Sequence, residues 1–343
     1  MGRLERLALA AGAAAHLALT GAAGAAPEVS LRGTASLGFD SNARRVFNST
    51  ILDADAVGSA LVAGSGRVPL GPLELSGWYQ AAGRKFLRYS SQDTLAQEAS
   101  VEVAARPLST VQLALDGRGK DRHGSPWQYS ELQGALALRW RALPELEVEL
   151  RGGGHRFIYW TQIDYSYSAT EATGTASFRL DRHHAISATG YLGHRRYNAY
   201  AYVPPSVPDP PQDQREDGVL SAGAAYTYRG AYQLSAGYQY FDEDSNSYRE
   251  TVRVHRLTLT LGTPLPLEWT LLTQLVLQLA DYPEGIPTSL GQGLEEDEER
   301  HNALSIKLLR PVGERVDLEL RYGLYINALP QYGFYMRQVA SVG

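Results

Sequence analysis

Apolar and polar residues alternate along most of the chain with a period of two. In residues 29–39 the odd positions are apolar or small, and most even positions are polar. The alternation recurs in residues 146–151 and 316–322, where every second residue of the run 147–151 and of the run 317–321 is charged. A helix repeats its faces every 3.6 residues and cannot use this pattern, whereas a strand with one apolar and one wet face requires it. The chain is therefore predicted to be built from β-strands.

About sixteen such segments are expected in total, each read from its own run of alternating residues. Their predicted bounds are 29–39, 56–66, 73–84, 94–105, 109–119, 128–140, 145–157, 168–180, 184–196, 216–228, 231–241, 250–262, 267–280, 300–310, 315–326 and 333–343. Connections after even-numbered segments are short and carry the Gly, Pro and Asp residues of tight turns. Connections after odd-numbered segments are mostly longer and polar, and the longest are near 197–215 and 281–299.

This regular alternation of short and long connections is typical of an outer-membrane barrel, which has short periplasmic turns, longer external loops and an even number of strands. Beyond residue 26 there is no uninterrupted apolar run of the length that a membrane-spanning helix needs. A closed barrel is then the one way to satisfy the backbone inside a bilayer. The predicted fold is all-β, a transmembrane antiparallel β-barrel of about sixteen strands.

Residues 1–26 have a different character, and they predict a secretory signal peptide. Arg3 and Arg6 precede an apolar stretch from 7 to about 20, and Ala23-Gly24-Ala25 offers a cleavage site. The predicted organisation is a signal peptide over 1–26 and an outer-membrane barrel over 27–343. The expected location is the outer membrane of a Gram-negative bacterium.

The composition of the chain narrows its chemistry. The 343 residues include no cysteine, and 32 Lys and Arg stand against 37 Asp and Glu, for a formal net charge of -5. Disulfides and thiolate-bound metals are excluded, and no basic field for nucleic acid is present. No recognisable nucleophile context or phosphate-binding loop occurs, so we expect neither an enzyme nor a cofactor.

Tyrosine is three times as frequent as phenylalanine, 21 against 7. Its apolar ring and polar hydroxyl suit the boundary between lipid and water, so two aromatic belts are predicted. The belt near the short connections would hold Trp140, Phe178, Tyr226, Tyr228, Tyr232 and Trp269, and the belt near the long ones Phe39, Phe86, Phe157, Tyr240 and Tyr282.

In these features the chain resembles the Gram-negative outer-membrane β-barrels and porins. The segment Gly38-Phe39-Asp40-Ser41-Asn42, at the end of the first predicted strand, is similar to segments at the start of barrels in polysaccharide- and lipoprotein-export systems. The resemblance implies barrel-assembly machinery, outer-membrane lipid and lipopolysaccharide as partners. Such barrels usually end on an aromatic residue that this machinery recognises. The ending Val342-Gly343 departs from that rule, so either the sequence is incomplete or the insertion signal is atypical.

If the apolar positions face lipid, the alternate positions face the lumen. The predicted pore-lining residues are Arg32, Glu74, Glu98, Glu102, Asp116, Arg118, Arg139, Glu147, Glu149, Arg151, Glu171, Arg179, Arg195, Lys307, Asp317, Glu319 and Arg321. Their charges nearly balance, which predicts a hydrated pore of low net charge selectivity. The alternative is that these charges pair with one another across strands and stiffen the wall, and the two can hold together. Trp78 and Tyr191 are predicted to stack on saccharide rings, or else to pack against an infolded loop.

The predicted function is an outer-membrane channel for hydrophilic solutes, with saccharides or an exported polysaccharide as candidate cargo. The alternative is a plugged structural or surface-interaction barrel that acts through its external loops, such as the proline-rich loop at 204–211 and the acidic run at 294–299. The direction of transport and the number of chains per assembly do not follow from the pattern.

Overall fold

A computed structural model describes residues 27–124, 128–204, 207, 213–284, 302–329 and 333–343. These residues form sixteen strands, which all belong to one sheet. The strands are β1 (Glu28–Asp40), β2 (Asp55–Leu70), β3 (Leu73–Phe86), β4 (Thr94–Leu108), β5 (Val111–His123), β6 (Tyr129–Arg141), β7 (Leu146–Tyr159), β8 (Tyr167–Arg179), β9 (His184–Tyr200), β10 (Gln214–Arg229), β11 (Gln233–Ser245), β12 (Val252–Pro264), β13 (Thr270–Asp281), β14 (Asn302–Pro311), β15 (Asp317–Leu329) and β16 (Gly333–Val342).

The sheet closes on itself, and the predicted antiparallel barrel is confirmed. Each strand pairs with the next along the chain, and β16 returns to pair with β1 through the register Leu37↔Val342 to Asp40↔Val339. Each of the sixteen predicted segments corresponds to one strand. The largest difference in length is in β2, which continues to Leu70 instead of ending at 66.

The connections alternate between the two ends of the barrel as predicted. Gly71 and Pro72 alone separate β2 from β3, and Gly71 has a φ of 64°, a left-handed conformation that glycine adopts without steric cost. The opposite end carries the longer connections, such as 41–54, 87–93 and 201–213. Short 3₁₀ turns lie in three of the longer connections, at Ile51–Asp53, Ser90–Gln92 and Ile163–Tyr165. No helix in the described part of the chain is long and apolar enough to cross a membrane.

The two faces of the closed sheet differ sharply in chemistry. One face carries leucines that are largely exposed, such as Leu31 at 81% and Leu192 at 60%. The other face carries charged side chains that reach across a whole intervening strand, as Arg139 on β6 does to Glu102 on β4. Side chains converge on the concave side of a barrel, so the charged face is the inner wall and the leucine face is the outer wall.

The aromatic belts are only partly as predicted. Trp140, Phe178, Tyr226 and Tyr228 lie on strand positions that face outward near the short turns, as does Phe39 near the long connections. The prediction for Phe86 and Phe157 is wrong, because both lie on the inner wall. Phe86 is 2% exposed and packs against Val57 and Ala43, while Phe157 stacks on Tyr129 and Tyr167. Nearness to the end of a strand does not determine which face a side chain occupies, because successive residues alternate between the two faces.

Candidate functional site

The inner wall of the barrel collects the residues that the sequence analysis assigned to the lumen. Inter-strand pairing puts side chains of paired residues on the same face, so the face can be followed from strand to strand. The row Arg32↔Ala63↔Gln80↔Glu98 runs across β1 to β4 and continues to Lys120 on β5, and Glu102↔Asp116 belongs to a second inner-wall row on β4 and β5. By this register all seventeen predicted charged residues, together with Trp78 and Tyr191, occupy inner-wall positions.

A network of ion pairs covers the inner wall of β4 to β7. Arg139 donates to both carboxylate oxygens of Glu102, at 3.0 and 2.7 Å, and to Glu149 at 3.0 Å. Arg151 donates to Asp116 at 2.5 Å, and Arg118 pairs with Glu98. Such two-pronged Arg–carboxylate contacts fix both partners in the plane of the guanidinium. This part of the wall is a rigid surface whose charges largely cancel.

A second charged network lies on β9 to β11, near the end that carries the long connections. Arg195 donates to Glu243 at 3.0 Å, and Arg215 donates to Asp217 at 3.1 and 2.8 Å. Ser245 donates to the same Asp217 carboxylate at 2.5 Å. Of these residues only Arg195 was identified from the sequence. Arg215 and Asp217 lie an even number of residues from Ser221 on their own strand, as Glu243 and Ser245 do from Gln239, and alternation within each strand could have revealed them.

Four arginines on the inner wall stand apart from these networks. Arg32, Arg84, Arg179 and Arg321 are all exposed, and within the described residues none of them forms an ion pair with a carboxylate. Arg32, Arg84 and Arg321 lie on β1, β3 and β15, and one strand separates each of these strands from the next in the sheet. Exposed inner-wall arginines without an ion pair in the described residues therefore occur both between β15 and β3 and, as Arg179, on β8.

Trp78 lies on the inner wall of β3 beside a recess of about 600 Å³. The side chain of Trp78 is 37% exposed. The inner-wall groups around the recess are hydroxyls and charges, namely Ser30, Ser65, Ser76, Ser100, Arg67, Glu28 and Glu102. An aromatic face beside hydroxyl, guanidinium and carboxylate groups presents both apolar and hydrogen-bonding surface to a ligand.

Tyr191 is not part of that recess. It lies on β9, six strands from β3 in the barrel order, and its hydroxyl donates to Glu171 at 3.2 Å. The structure therefore does not bring the two predicted stacking residues together.

An aromatic cluster lines the inner wall of β6 to β9 near the long connections. Tyr129 stacks on Phe157 with ring centroids 5.1 Å apart, and Phe157 stacks on Tyr167 at 5.3 Å. Tyr167 contacts Tyr197 at 5.1 Å, and the Arg215 guanidinium lies 4.2 Å from the Tyr197 ring centroid. Tyr129 and Tyr197 are 1% and 7% exposed, so most of the cluster is packed within the wall and little of it is open to the lumen.

The connection 41–54 folds over the rim of the inner wall. Ala43 is fully buried against Val57 and Phe86, and the backbone N–H of Asn48 donates to the carbonyl of Phe334 at 2.8 Å. Asp53 is the last residue of the 3₁₀ turn Ile51–Asp53, and a hydrogen bond from the Thr50 backbone N–H at 2.8 Å holds the pKa of the Asp53 carboxyl below its ordinary value. Residues 41–54 are thus anchored at the rim by their own contacts.

The segment Gly38-Phe39-Asp40-Ser41-Asn42 connects the first strand, β1, to the last strand, β16. Ser41 exchanges hydrogen bonds with Gln338 on β16, at 2.9 and 2.8 Å. Asn42 donates from its side chain to the carbonyls of Val46 and Met336, at 2.8 and 3.3 Å. These contacts close the barrel between β1 and β16, which is a structural role for this segment.

The described residues contain no group of three side chains placed to hold a metal ion. His155 is the inner-wall histidine nearest a carboxylate, with its Nε2 3.4 Å from Glu131. His194 and His255 lie on the outer wall, and His301 falls outside the described residues. The chemistry that the inner wall offers is hydration, ion pairing and stacking.

Comparison with known proteins gives a likeness in structure only. The chain matches no protein-family model and no curated protein. Among solved structures it is similar to OccD3 (OpdP) of Pseudomonas aeruginosa, with 13% identity over 94% of this chain and 92% of that one, at a TM-score of 0.49. It is also similar to OccK11 (OpdR) of the same organism, with 10% identity over 92% and 94% and a TM-score of 0.47. A mutant porin of Rhodopseudomonas blastica has 10% identity over 92% and 99%, with a TM-score of 0.42.

Proposed function

We propose that this chain is a channel of a Gram-negative outer membrane and that it passes hydrophilic solutes. A barrel that presents leucines all around its outer wall is compatible with lipid, because closure leaves no unpaired sheet edge. Sixteen strands enclose a lumen too wide for side chains from the wall to fill.

The observation that carries the proposal is the set of unpaired cations inside the barrel. Arg32, Arg84 and Arg321 project from the inner wall and are exposed. A charge without a partner is stable only where water or counter-ions reach it, since burying it dry costs several kcal/mol. The space in front of these side chains is therefore expected to hold water and mobile ions, which is the condition for conduction.

The rival function is a plugged barrel that acts through its external loops. Residues 41–54 argue against a plug from that connection, because their contacts hold them against the rim at β1, β2 and β16. Most of the proline-rich loop at 204–211 and all of the acidic run at 294–299 lie outside the described residues. The two functions make opposite predictions for conductance.

Saccharides are the solutes that the Trp78 recess favours. A sugar ring presents an apolar face that stacks on an indole, and hydroxyls that need hydrogen-bonding partners around its edge. The recess supplies Trp78 together with four serines and charged groups within about 600 Å³. This supports a subsite for a small saccharide unit on the inner wall of β1 to β4, whether the cargo is a free sugar or a chain. The stacking role that the sequence suggested for Tyr191 has no comparable support, because its hydroxyl is engaged by Glu171.

The test is single-channel conductance of the refolded protein in a planar bilayer, with and without oligosaccharides. Open steps of roughly nanosiemens size are expected for a wide aqueous barrel. Sugar is expected to block the current transiently. Trp78→Ala should weaken this blockade about tenfold, as expected when a stacking contact worth 1–2 kcal/mol is lost, and Trp78→Phe should retain much of it.

Tyr79→Phe provides the matched control, since Tyr79 is next to Trp78 on the outer wall of the same strand. It should leave both conductance and blockade unchanged. A folded barrel that inserts without conducting would overturn the channel and move the function to the loops. A conducting barrel whose sugar blockade is the same with and without Trp78 would overturn the saccharide subsite alone.

A further inference from the structure

We propose that the Trp78 recess prefers saccharides that carry an amino group and disfavours saccharides that carry a carboxylate. The indole would stack on a sugar ring, and the Glu28 carboxylate would bind the ammonium group of that ring or of the next one. This inference rests on the saccharide subsite of the proposed function, and it names the class of saccharide that the subsite selects.

The Trp78 indole is open on both sides along the inner wall. In the row that crosses the strands it is paired with Ser65 on β2 and with Ser100 on β4, and the row continues to Ser30 on β1. A serine side chain is too short to cover a neighbouring indole, and Trp78 is 37% exposed. A sugar ring can therefore lie on the indole with hydroxyl groups on either side, and each of these can donate and accept hydrogen bonds.

The row of hydroxyls leads from the indole toward Glu28. The Oγ atoms of Ser30 and Ser65 lie 2.8 Å apart and bond to one another. Glu28 is two residues from Ser30 on the same face of β1 and lines the same recess. Trp78 is two strands and two residues away, roughly 12 Å for spacings of about 4.8 Å between strands and 3.3 Å per residue. A ring stacked on the indole, or the next ring of a chain, can place a substituent against the Glu28 side chain.

Carboxylates outnumber guanidinium groups at this end of the recess. Arg67 is paired in register with Glu28 and donates to Glu74 at 2.5 Å, so one guanidinium serves two carboxylates. Glu102 also lines the recess, and both of its oxygens accept from Arg139. Within the described part of the chain Glu28 is exposed and forms no ion pair. One negative charge is therefore left over, and it lies on the group that faces the recess.

The unpaired cation on the same strand does not cancel this charge. Arg32 is four residues from Glu28 along β1, about 13 Å at roughly 3.3 Å per residue, and it does not line the recess. Over that distance salt screens most of its effect, since the Debye length is about 8 Å at physiological ionic strength. An ammonium group beside Glu28 is attracted, whereas a carboxylate in the same place is repelled.

Blockade of single-channel current by short oligosaccharides measures this preference. The probes are glucosamine oligomers, the same oligomers with every amine acetylated, and galacturonic acid oligomers, at about pH 6, where amines are protonated. At about 0.1 M KCl the glucosamine oligomer should bind about fivefold more tightly than its acetylated form, the effect of one partly exposed ion pair. The galacturonate oligomer should bind more weakly than both. At about 1 M KCl the advantage of the amine should disappear, because the Debye length falls to about 3 Å.

Three variants assign the preference to its residue. Glu28→Gln should remove the advantage of the amine and leave blockade by the acetylated oligomer unchanged, because the indole remains. Trp78→Ala should weaken blockade by both oligomers. Glu147→Gln is the matched control, since Glu147 also lies on the inner wall near the short connections, but on β7 and outside the recess. It should keep the order of affinities that the wild type shows.

The outcomes separate this inference from the proposed function. Equal blockade by the amine and acetylated oligomers, or an advantage of the amine that Glu28→Gln retains, would overturn the amino-saccharide preference and leave the saccharide subsite standing. Tightest blockade by galacturonate would assign selectivity to the lumen arginines and overturn it as well. Spermidine, a linear amine without a ring, should block weakly, and blockade as strong as that by the glucosamine oligomer would show that charge alone is recognised. A conducting channel that no saccharide blocks would remove the subsite, and this inference with it, while the channel stands.

Discussion

The Asp40 carboxylate on β1 and the Arg337 guanidinium on β16 form a buried, two-pronged ion pair where the barrel closes. The Nε of Arg337 lies 2.9 Å from each carboxylate oxygen, and its Nη2 contacts one of them as well. The two residues are 297 positions apart in the chain and are 1% and 2% exposed at their side chains. The pair lies on the inner wall beside the two hydrogen bonds that Ser41 exchanges with Gln338. No turn or loop of the chain connects β1 to β16, so this ion pair helps to hold the first and last strands together.

Breaking this pair should destabilise barrel closure strongly. Asp40→Asn leaves a guanidinium buried without its counter-charge, which typically costs 3–5 kcal/mol, a rough value for removing one member of a buried pair. The free energy of unfolding in lipid vesicles, measured by tryptophan fluorescence against urea, should fall by about that amount. Arg67→Gln is the control, because the pair that Arg67 forms with Glu74 is half exposed and should contribute under about 1 kcal/mol.

Removing both partners of the pair together tests the reason for the loss. Asp40→Leu with Arg337→Met takes away the attraction and also the desolvation cost of the two charges, so it should cost less than Asp40→Asn alone. A double variant less stable than the single one would mean that the pair itself is a large net contribution, contrary to this expectation.

Neutralising the unpaired arginines should change the ion selectivity of the channel. Arg84→Gln with Arg321→Gln removes two inner-wall cations that have no described ion-pair partner. The chloride-to-potassium permeability ratio, obtained from the reversal potential across a KCl gradient, should fall by about twofold, an order-of-magnitude value for loss of part of a focusing field.

The control for selectivity is a variant that removes one charge of each sign. Arg151→Gln with Asp116→Asn deletes a bonded pair and leaves the net charge of the wall unchanged. Its reversal potential should match that of the wild type. Equal shifts in the two double variants would mean that selectivity depends on the shape of the lumen and not on unpaired charge.

Most of the barrel architecture could be predicted from the period-two pattern of apolar and polar residues. Alternation in a run such as 146–151 specifies both a strand and its two faces, because a strand turns successive side chains to opposite sides. The same alternation, counted within β8 and within β9, places Glu171 and Arg195 on the inner wall. The number of strands and the closure of the sheet could also be predicted from the sequence, because each turn joins two strands that are neighbours in the sheet.

Contacts between distant strands could not be predicted from the pattern. The pairing of Asp40 with Arg337, or of Arg139 with Glu102 across an intervening strand, depends on the stagger of the strands and the reach of each side chain. Phe86 is a different case, because parity with Trp78 already assigned it to the inner wall. Phe86 lies eight positions after Trp78, an even number, so alternation within β3 predicts the inner wall for Phe86.

The anchoring of residues 41–54 should depend on pH through Asp53. Because hydrogen bonds in the folded loop lower the pKa of Asp53, the stabilisation is complete above the unfolded value of about 3.9. It disappears as the pH falls below that value through the lower pKa of the folded loop. Cleavage of this loop by pepsin should therefore accelerate in the wild type between about pH 4.5 and pH 2. Asp53→Asn, compared at each pH, should be cleaved faster near pH 4.5 and should converge with the wild type at the acidic end.

Phe157 is the centre of the inner-wall aromatic cluster, and its removal should loosen the wall without opening a new path. Phe157→Ala deletes two stacked contacts, with Tyr129 and Tyr167, and should lower the free energy of unfolding by about 2–3 kcal/mol, below the usual cost for a fully buried phenylalanine. Phe157→Leu keeps most of the apolar volume and loses only the ring stacking, so about 1 kcal/mol is expected. Urea unfolding measures both variants. Equal losses in the two would show that ring geometry dominates over volume, whereas no loss in either would mean that the packed rings contribute nothing to the wall.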